Sequence, residues 1–292
     1  MIRLITNYTD LKGITIHYTK LSIIIKPASH SPYFIGSQIR GALGYALKKV
    51  SCINPSFECS GCFSSSSCLY YKFYEEKNSV HKYRFDFELG KEYYDFSLYL
   101  FDDVIDQLPY VVSALHMMLI KNGLGSNKTT YSDFTMYVND ISIFNNNRLS
   151  LPKNFSKKLK IDTFCPNITL KFITPLRIKK ENRLVRDDSL ELKDIVNSIY
   201  QRQMQLLGKG FKKFPYPIEG EILKKSIHYK ELTRKSNRQK ILMNLGGIMG
   251  SMEIKGLNKE SYEVLKVGEL IGVGKSTVFG LGKIEVEDLG CK

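Results

Sequence analysis

Four closely spaced cysteines form the clearest metal-binding pattern in the sequence. They follow the spacing C-x6-C-x2-C-x5-C and are Cys52, Cys59, Cys62 and Cys68. Four thiolates in one short loop can surround a tetrahedral Zn²⁺, and a C-x2-C pair supplies two ligands in many such sites. Disulfides are a rival interpretation, but a reducing compartment keeps thiols reduced. An iron–sulfur cluster also takes four cysteines, and a loop without metal is the remaining alternative. The pattern predicts a structural zinc ion, with Cys165 and Cys291 unrelated to it.

Near the C-terminus, two pairs of alternating glycines are each followed by a lysine. The stretch GVGKSTVFGLGK covers residues 272–283. Glycine adopts positive φ and lets a partner approach the backbone, and lysine supplies a point charge that suits phosphate. The stretch therefore predicts a surface that binds a polyanion through Gly272, Gly274, Lys275, Ser276, Gly280, Gly282 and Lys283.

Two other interpretations of this stretch differ in strength. A P-loop requires a glycine five residues before the glycine of the GK pair, and Glu269 stands there. A P-loop also opens a helix, whereas the apolar residues over 278–286 alternate as in a strand. A glycine-rich hairpin without a ligand is the second alternative.

The charge balance favours a polyanionic partner. The chain has 43 Lys and Arg against 29 Asp and Glu, which gives a formal net charge of +14. Nucleic acid is the first expectation for such a balance and a membrane surface the second. No long apolar run indicates a transmembrane helix, and residues 1–13 lack the apolar core of a signal peptide. We therefore expect a cytoplasmic protein that does not bind membranes.

A basic region in the second half supports a nucleic-acid partner. Between residues 209 and 240, basic side chains that include Arg234 and Arg238 interleave with aromatic ones. Cations follow phosphates and aromatic rings stack on bases, so the region suits structured or single-stranded RNA. A solvated charged face with some core aromatics is the alternative.

Hydrophobic periodicity predicts the elements that position these residues. Strands are expected at 14–25, 83–89, 93–101, 134–143 and 168–180, and helices at 36–50, 103–121 and 190–207. Ser37 is the expected N-cap of the first helix, and Pro109 bends the second or marks its start. Gly41 and Gly44 lower helix propensity, which indicates a close approach to a sheet or to a ligand.

The chain contains the same unit twice. A helix, a turn with alternating glycines and a strand occur around Gly123–Gly125 and again around Gly272–Gly274. Strands before and after each helix favour an α+β layer with helices on one face of an antiparallel sheet. We therefore predict tandem ferredoxin-like (RRM-like) domains over 1–150 and 160–292. The cysteine cluster at 52–68 is then an insertion in the first domain, and the glycine-rich stretch precedes the last strand of the second.

Three segments resemble a known family. They are SHSPYFIGSQIRGALGYALKKVSC with the cysteines that follow, RKSNRQKILMNLGGIMGSMEIKG and GELIGVGKSTVFGLGKIEV. They are similar to the branch of the repeat-associated mysterious protein (RAMP) superfamily that processes precursor CRISPR RNA. The similarity covers most of the chain, and GVGKSTVFGLGK is its most specific part.

The resemblance implies both a substrate and a reaction. It implies binding of CRISPR repeat RNA in a precursor transcript, and metal-independent cleavage that leaves a 2′,3′-cyclic phosphate and a 5′-hydroxyl. A non-catalytic RAMP subunit that holds guide RNA in a CRISPR effector complex is the alternative function. A zinc-bearing adaptor would explain the cysteines but not the two glycine turns.

Cleavage of this kind needs a base, an acid and cations, and histidine suits both proton transfers. The resemblance places the catalytic histidine near the first helix, which favours His30, with His81 as the second candidate and a site without a catalytic histidine as the remaining alternative. Tyr33 is the expected hydroxyl partner, and Lys275 and Arg40 are the expected cations at the scissile phosphate. The remaining three histidines fall in expected strands or in a packing helix: His17, His116 and His228.

Overall fold

The described residues form two α+β units with one topology. The structure is a computed structural model that describes residues 15–25, 30–145, 148–235 and 242–291. Arg238, one of the predicted RNA-binding residues, lies outside these ranges. Within them, no helix has the length and apolar character needed to cross a membrane.

The first unit is a βαββαβ arrangement with short additional elements. Its helices are α1 (Gly36–Ser51), α2 (Leu69–Tyr74) and α3 (Leu108–Met117). Its strands are β1 (His17–Ile25), β2 (Tyr83–Phe87), β3 (Asp95–Phe101), β4 (Phe134–Val138) and β5 (Ile141–Ser142). The sheet order is β2-β3-β1-β4-β5 with antiparallel pairing throughout. This order places β1 at the centre.

Short strands connect the two units. They are β6 (Phe144–Asn145), β7 (Arg148–Leu149) and β8 (Lys157–Lys158). β6 and β7 form a hairpin, and β8 pairs with the start of β1. The connecting segment is therefore attached to the first sheet.

The second unit repeats the topology of the first. Its main elements are β9 (Ile168–Leu176), α4 (Leu192–Leu206), β12 (Glu221–Lys230), β15 (Gly247–Lys255), α5 (Lys259–Ile271) and β16 (Ile284–Asp288). Two small hairpins accompany them: β10 (Lys179–Lys180) with β11 (Arg183–Leu184), and β13 (Thr233–Lys235) with β14 (Leu242–Asn244). The sheet order β12-β15-β9-β16 matches β2-β3-β1-β4 element by element. The predicted tandem ferredoxin-like fold is confirmed.

Alternating burial along the central strands explains the two cores. In β1, Leu21, Ile23 and Ile25 are buried on the helix side, as a period of two requires. In the second unit, Ile168, Leu170 and Phe172 of β9 do the same. Val278 of the second half packs into the first core, and Phe101 of the first half packs into the second. The two cores therefore meet at the boundary between the units.

Several predicted boundaries were wrong. The expected helix 103–121 consists of a 3-10 turn (Asp102–Gln107), α3 and a π turn (Met118–Asn122), and Pro109 stands in the first turn of α3. Proline fits there because the first helical amides have no intrahelical partner. Ser37 is not the N-cap of α1, since the helix already begins at Gly36. The predicted strand over 278–286 begins only at β16, because residues 277–279 form a 3-10 turn.

The two cysteines that the spacing left unassigned are bonded to each other. Cys165, buried ahead of β9, and Cys291, exposed after β16, form a disulfide with their Cα atoms 5.8 Å apart. The main-chain bond from Leu289 N to Asn167 O lies beside it. The C-terminal end is thus attached to the start of the second unit.

Candidate nucleic-acid interface

A cleft of about 970 Å³ lies between the two units. One wall is the outward face of α1, which carries Gly41, Tyr45 and Lys49. A second wall is the first glycine turn, defined as residues 123–129, and a third is the segment 231–234, which leads from β12 into β13. Residues from both halves of the chain therefore face one space.

The lining of this cleft is basic and partly aromatic. Its charged side chains are Lys49, Lys121, Lys128 and Arg234, against the single acid Glu231. Tyr33, Phe34 and Tyr45 supply aromatic surface. Cations that follow a phosphate backbone, combined with rings on which bases stack, are typical of surfaces that bind single-stranded nucleic acid.

Tyr45 belongs to a cationic cluster on this surface. Its side chain is 58% exposed, and Lys49 Nζ lies 4.5 Å from the centroid of its ring. The pKa of the Tyr45 hydroxyl is lowered, first because of its hydrogen bond with Lys49 and then because of the charges of Lys49 and Lys128. Tyr45 of α1 therefore lies close enough to the first glycine turn for the charge of Lys128 to affect its pKa.

A second cationic cluster is built around Phe279. The guanidinium carbon of Arg40 lies 4.7 Å from the centroid of the Phe279 ring, and that of Arg234 lies 4.5 Å from it. Arg40 also donates a hydrogen bond of 3.2 Å from Nε to the Tyr83 hydroxyl. Among the described residues, neither arginine has an acidic partner. Two adjacent guanidinium groups that form no ion pair with a described residue are suited to a phosphate.

The electrostatics of Arg234 support this interpretation. Burial lowers the pKa of Arg234, and the positive charge of Arg40 lowers it further. An anion between the two groups would relieve this repulsion. The prediction that Arg40 and Arg234 bind RNA stays untested, and the structure brings the two side chains together.

His30 and Tyr33 line a smaller cavity of about 430 Å³ beside the main cleft. The structure therefore places these two predicted site residues at one cavity, and their catalytic roles stay a prediction. Tyr33 lines both cavities, and Lys230 Nζ of β12 lies 5.1 Å from the centroid of its ring. Lys275 lines neither of these two cavities within the described chain. The cation that the second half places beside Tyr33 is Lys230.

The second glycine stretch, residues 272–283, is largely buried. A Cβ at Gly280 would collide with the Phe87 ring of the first unit, and one at Gly282 would collide with the carbonyl oxygen of Val273. Glycine at these positions is explained by close packing between protein segments. The predicted open polyanion-binding surface is not what the structure shows here, because mainly the Lys275 side chain faces solvent.

Lys283 has a structural partner as well. Its Nζ lies 3.0 Å from Asp86 Oδ1, and both side chains are about five-sixths buried. Asp86 also pairs with the buried Arg84, which donates from Nη2 to the main-chain oxygen of Glu269 at 3.2 Å. These contacts run from β2 of the first unit to the end of α5. Lys283 therefore stabilises the junction of the two units.

Arg202 completes this junction from the side of α4. Its Nε donates to the carbonyl oxygen of Ile271 at 2.9 Å. Burial lowers the pKa of Arg202 to about 9, with a further contribution from the charge of Arg84. Arg84 and Arg202 both bind carbonyls of the last turn of α5, where the helix dipole is negative. They fix the start of the second glycine stretch.

Gly41 and Gly44 of α1 differ in what surrounds them. A Cβ on Gly44 would lie 2.8 Å from the Tyr74 ring, so close packing of α1 against α2 requires glycine there. A Cβ on Gly41 would have no atom within 4 Å, and Gly41 faces the cleft. Glycine in a helix interior is less favourable than alanine by about 1 kcal/mol. Packing within the described protein explains Gly44 and does not explain Gly41.

The four clustered cysteines are free thiols in the structure. Across the described residues, no group of three or more His, Cys, Asp or Glu side chains is arranged to hold a metal ion. Burial raises the pKa of the Cys59 thiol in the metal-free chain. The geometry gives the zinc prediction no support, and a zinc analysis of the purified protein would test it directly.

The other histidines have structural surroundings. His81 Nδ1 lies 3.3 Å from the Lys72 carbonyl oxygen, and burial, followed by smaller effects that include the charges of Arg40 and Arg202, lowers its pKa. His116 packs its ring against Phe144 with centroids 5.3 Å apart, and burial lowers its pKa too. His17 begins β1 and His228 lies in β12.

The row of α1 residues along the cleft was not among the residues predicted from the sequence. Gly41, Tyr45 and Lys49 recur every four residues in α1, and that spacing places them on one helical face. That four-residue spacing is visible in the sequence. Lys128, in the first glycine turn, is a second missed member.

The fold of the whole chain is that of solved Cas6 structures. A Cas6 product complex superposes with a TM-score of 0.51 at 13% identity, covering 93% of this chain and 100% of that one. A second Cas6 product complex gives 0.50 at 14% identity, covering 93% and 99%. Thermus thermophilus Cas6 also gives 0.50, at 13% identity, covering 93% and 98%. At these identities the likeness establishes the architecture.

Sequence comparison adds a match to a family model in each half of the chain. Residues 170–284 match the family model of the CRISPR-associated endoribonuclease Cas6, and residues 14–148 match a model described as an N-terminal domain. An uncharacterized protein from Archaeoglobus fulgidus is 23% identical over 287 residues, which cover 88% of this chain and 92% of that protein. The second half of the chain is therefore similar in sequence to the Cas6 family, and both units share the architecture of solved Cas6 structures. The resemblance predicted from the sequence is confirmed.

Proposed function

We propose that the protein is an endoribonuclease that binds CRISPR repeat RNA and cleaves it into guide RNA. The Cas6 domain over residues 170–284 supports the class of reaction. The observation that carries the proposal for this chain is the basic cleft, whose walls come from both units and whose described lining residues include four cations and one acid.

The geometry suggests a division of roles around the bound strand. Arg40 and Arg234 hold a phosphate beside Phe279, and Lys49 and Lys128 hold the backbone farther along α1. His30 and Tyr33, at the edge of the cleft, supply the proton transfers in which a 2′-oxygen attacks the phosphate and the 5′-oxygen leaves. This reaction would leave a 2′,3′-cyclic phosphate and a 5′-hydroxyl without a metal ion.

A non-catalytic subunit that holds guide RNA is the second candidate function. The His30 side chain is exposed, and no hydrogen bond to another described residue orients it. General acids and bases are usually oriented by a partner, although such bonds often form only with substrate present. A binding subunit would use the same cleft without the chemistry, and CRISPR effector proteins would then be its partners.

Incubation of the purified protein with a radiolabelled CRISPR repeat RNA in EDTA would separate the two functions. The proposal predicts one cleavage position, and a 5′ product whose terminal cyclic phosphate is opened by acid. Binding without cleavage, under conditions in which the protein is folded, would favour the guide-holding subunit. Absence of binding would contradict both.

A further inference from the structure

Gly41 lies in the middle of a helix, and packing within the described protein does not require a glycine at this position. It lies in α1, faces the cleft and is exposed, and an added Cβ would meet no atom within 4 Å. Its backbone is helical, so alanine would fit without strain and would favour the helix. A site that keeps a locally unfavourable residue without a packing reason is a candidate functional site.

Gly41 stands in a row of cleft residues on one face of α1. Ser37, Gly41, Tyr45 and Lys49 recur every four residues and all line the cleft. Because a helix rises about 1.5 Å per residue, successive members are about 6 Å apart along the axis. In order, the row presents the hydroxyl group of Ser37, the bare backbone of Gly41, the exposed ring of Tyr45 and the ammonium group of Lys49.

The hydroxyl at the start of this row has no partner. Ser37 Oγ is buried and makes no hydrogen bond within the described part of the chain. A buried hydroxyl without a partner carries a desolvation cost, and the cost disappears if a ligand oxygen binds it. This observation is independent of Gly41, and Ser37 belongs to the same wall of the cleft.

At the far end of the row, positive charge defines the chemistry of that ligand. Lys49 lies over the Tyr45 ring, and Lys128 from the first glycine turn acts on the Tyr45 hydroxyl across the cleft. A polar ligand that meets a serine hydroxyl, bare backbone, an aromatic ring and two lysines within one groove has the properties of a nucleotide chain.

We infer that the sugar–phosphate backbone of the RNA lies directly on α1 at Gly41, where a side chain would hold it away from the helix. One nucleotide places an oxygen of its sugar or phosphate on Ser37 Oγ, and the following phosphate is bound by Lys49 and Lys128. Gly41 is a positioning residue, because it acts by letting the strand approach. This inference rests on the proposed RNA-binding function.

Substitutions at Gly41 should change stability and RNA affinity in opposite directions. Gly41→Ala should raise the Tm by about 2–4 °C, since it improves helix propensity without a clash, while weakening binding of a fluorescein-labelled CRISPR repeat RNA. Gly41→Leu should weaken that binding by about tenfold or more while the protein stays folded. Fluorescence anisotropy and thermal unfolding measure the two effects on the same samples.

Two control variants make the result specific. Gln205→Leu adds the same side chain to an exposed position of α4 outside the cleft lining, and it should leave RNA affinity unchanged. Gly44→Ala should lower the Tm, because its Cβ would contact the Tyr74 ring at 2.8 Å. Opposite Tm shifts for the two α1 glycines would show that only Gly44 is structural.

The outcomes distinguish this inference from the function on which it rests. If wild type binds the RNA and Gly41→Leu binds it equally well, the strand does not pass over Gly41 and the inference is overturned. If Gly41→Leu and Gln205→Leu lose affinity equally, the effect is not specific to the cleft and the inference again fails. If the folded wild type does not bind the RNA, the proposed function itself is wrong.

Discussion

The first glycine turn and the second glycine stretch use one backbone conformation in different surroundings. Gly123 and Gly125 have φ of 73° and 78°, and Gly272 and Gly274 have φ of 78° and 74°. The first turn faces the open cleft and carries Lys128. The second stretch is enclosed by the other unit and by its own neighbours.

This difference shows that a glycine motif does not reveal its own use. Positive φ explains why glycine stands in both turns, but only the neighbouring atoms decide whether a ligand can reach the backbone. In the first half the turn contributes charge to a surface. In the second half Phe87 lies against Gly280 and Arg84 against Gly272, so a ligand cannot approach the backbone at these two glycines.

The largest expected difference between the first glycine turn and the second glycine stretch is the loss of stability on substitution of a glycine. Gly280→Ala should lower the free energy of unfolding by about 3 kcal/mol, from left-handed strain and from overpacking against the Phe87 ring. Gly125→Ala has the same φ of 78° but meets only the movable end of Gln38 at 2.6 Å, so about 1 kcal/mol is expected. Urea unfolding measures both, and equal losses would contradict the difference in enclosure.

Catalysis should depend on the first half. His30→Ala should lower the single-turnover cleavage rate by about 10²-fold and leave RNA affinity nearly unchanged, the pattern of a lost proton-transfer group. His81→Ala is the matched variant and should retain cleavage. Full activity in His30→Ala together with loss in His81→Ala would move the chemistry to the buried histidine.

RNA affinity should follow the open turn more than the enclosed stretch. The double variant Lys49→Ala, Lys128→Ala should weaken repeat-RNA binding by about tenfold at physiological salt and reduce the salt slope by about 2. Lys275→Ala, the exposed lysine of the second stretch, should reduce the slope by about 1 or less. The double variant Lys193→Ala, Lys259→Ala removes two exposed charges outside the cleft lining and should have little effect.

The smallest effect concerns pH and the buried His81. Burial, with smaller effects that include the charges of Arg40 and Arg202, lowers the pKa of His81 below its ordinary 6.5. The unfolded chain therefore takes up this proton at a higher pH than the folded chain does. Stability should fall as pH drops from about 6.5 through the lower, folded pKa.

His81→Gln should reduce that loss. The difference in urea midpoint between pH 7.5 and pH 5.5 should be smaller in the variant than in wild type, and His116→Gln should act in the same direction. Unchanged pH dependence in both variants would show that other groups control acid stability.

Much of the fold was predictable because its signals are local. Alternation of apolar residues in β1 and β9 and the helical stripe of α4 follow from chain geometry alone. The repeated helix–glycine turn–strand unit indicated the tandem topology. The predicted helix and strand boundaries were wrong where irregular backbone turns set them, as in the 3-10 and π turns on either side of α3.

The site was predicted less completely because its members come from distant segments. His30 and Tyr33 are close in sequence and line one cavity, as expected. The pairing of Lys283 with Asp86 depends on how the two units meet, and nothing near Lys283 in the sequence indicates it. Cysteine spacing likewise does not fix the directions of four side chains. The zinc prediction stays untested.

The sequence by itself determined the two α+β units, the positive charge, the positions of the glycine turns and the family resemblance. These depend on residue type, short spacing and composition. Only the tertiary structure decided which glycines are enclosed, which lysines have acidic partners and which face of α1 lies in the cleft. The physical reason is that burial and ion pairing depend on atoms brought together from distant parts of the chain, and no local pattern specifies those neighbours.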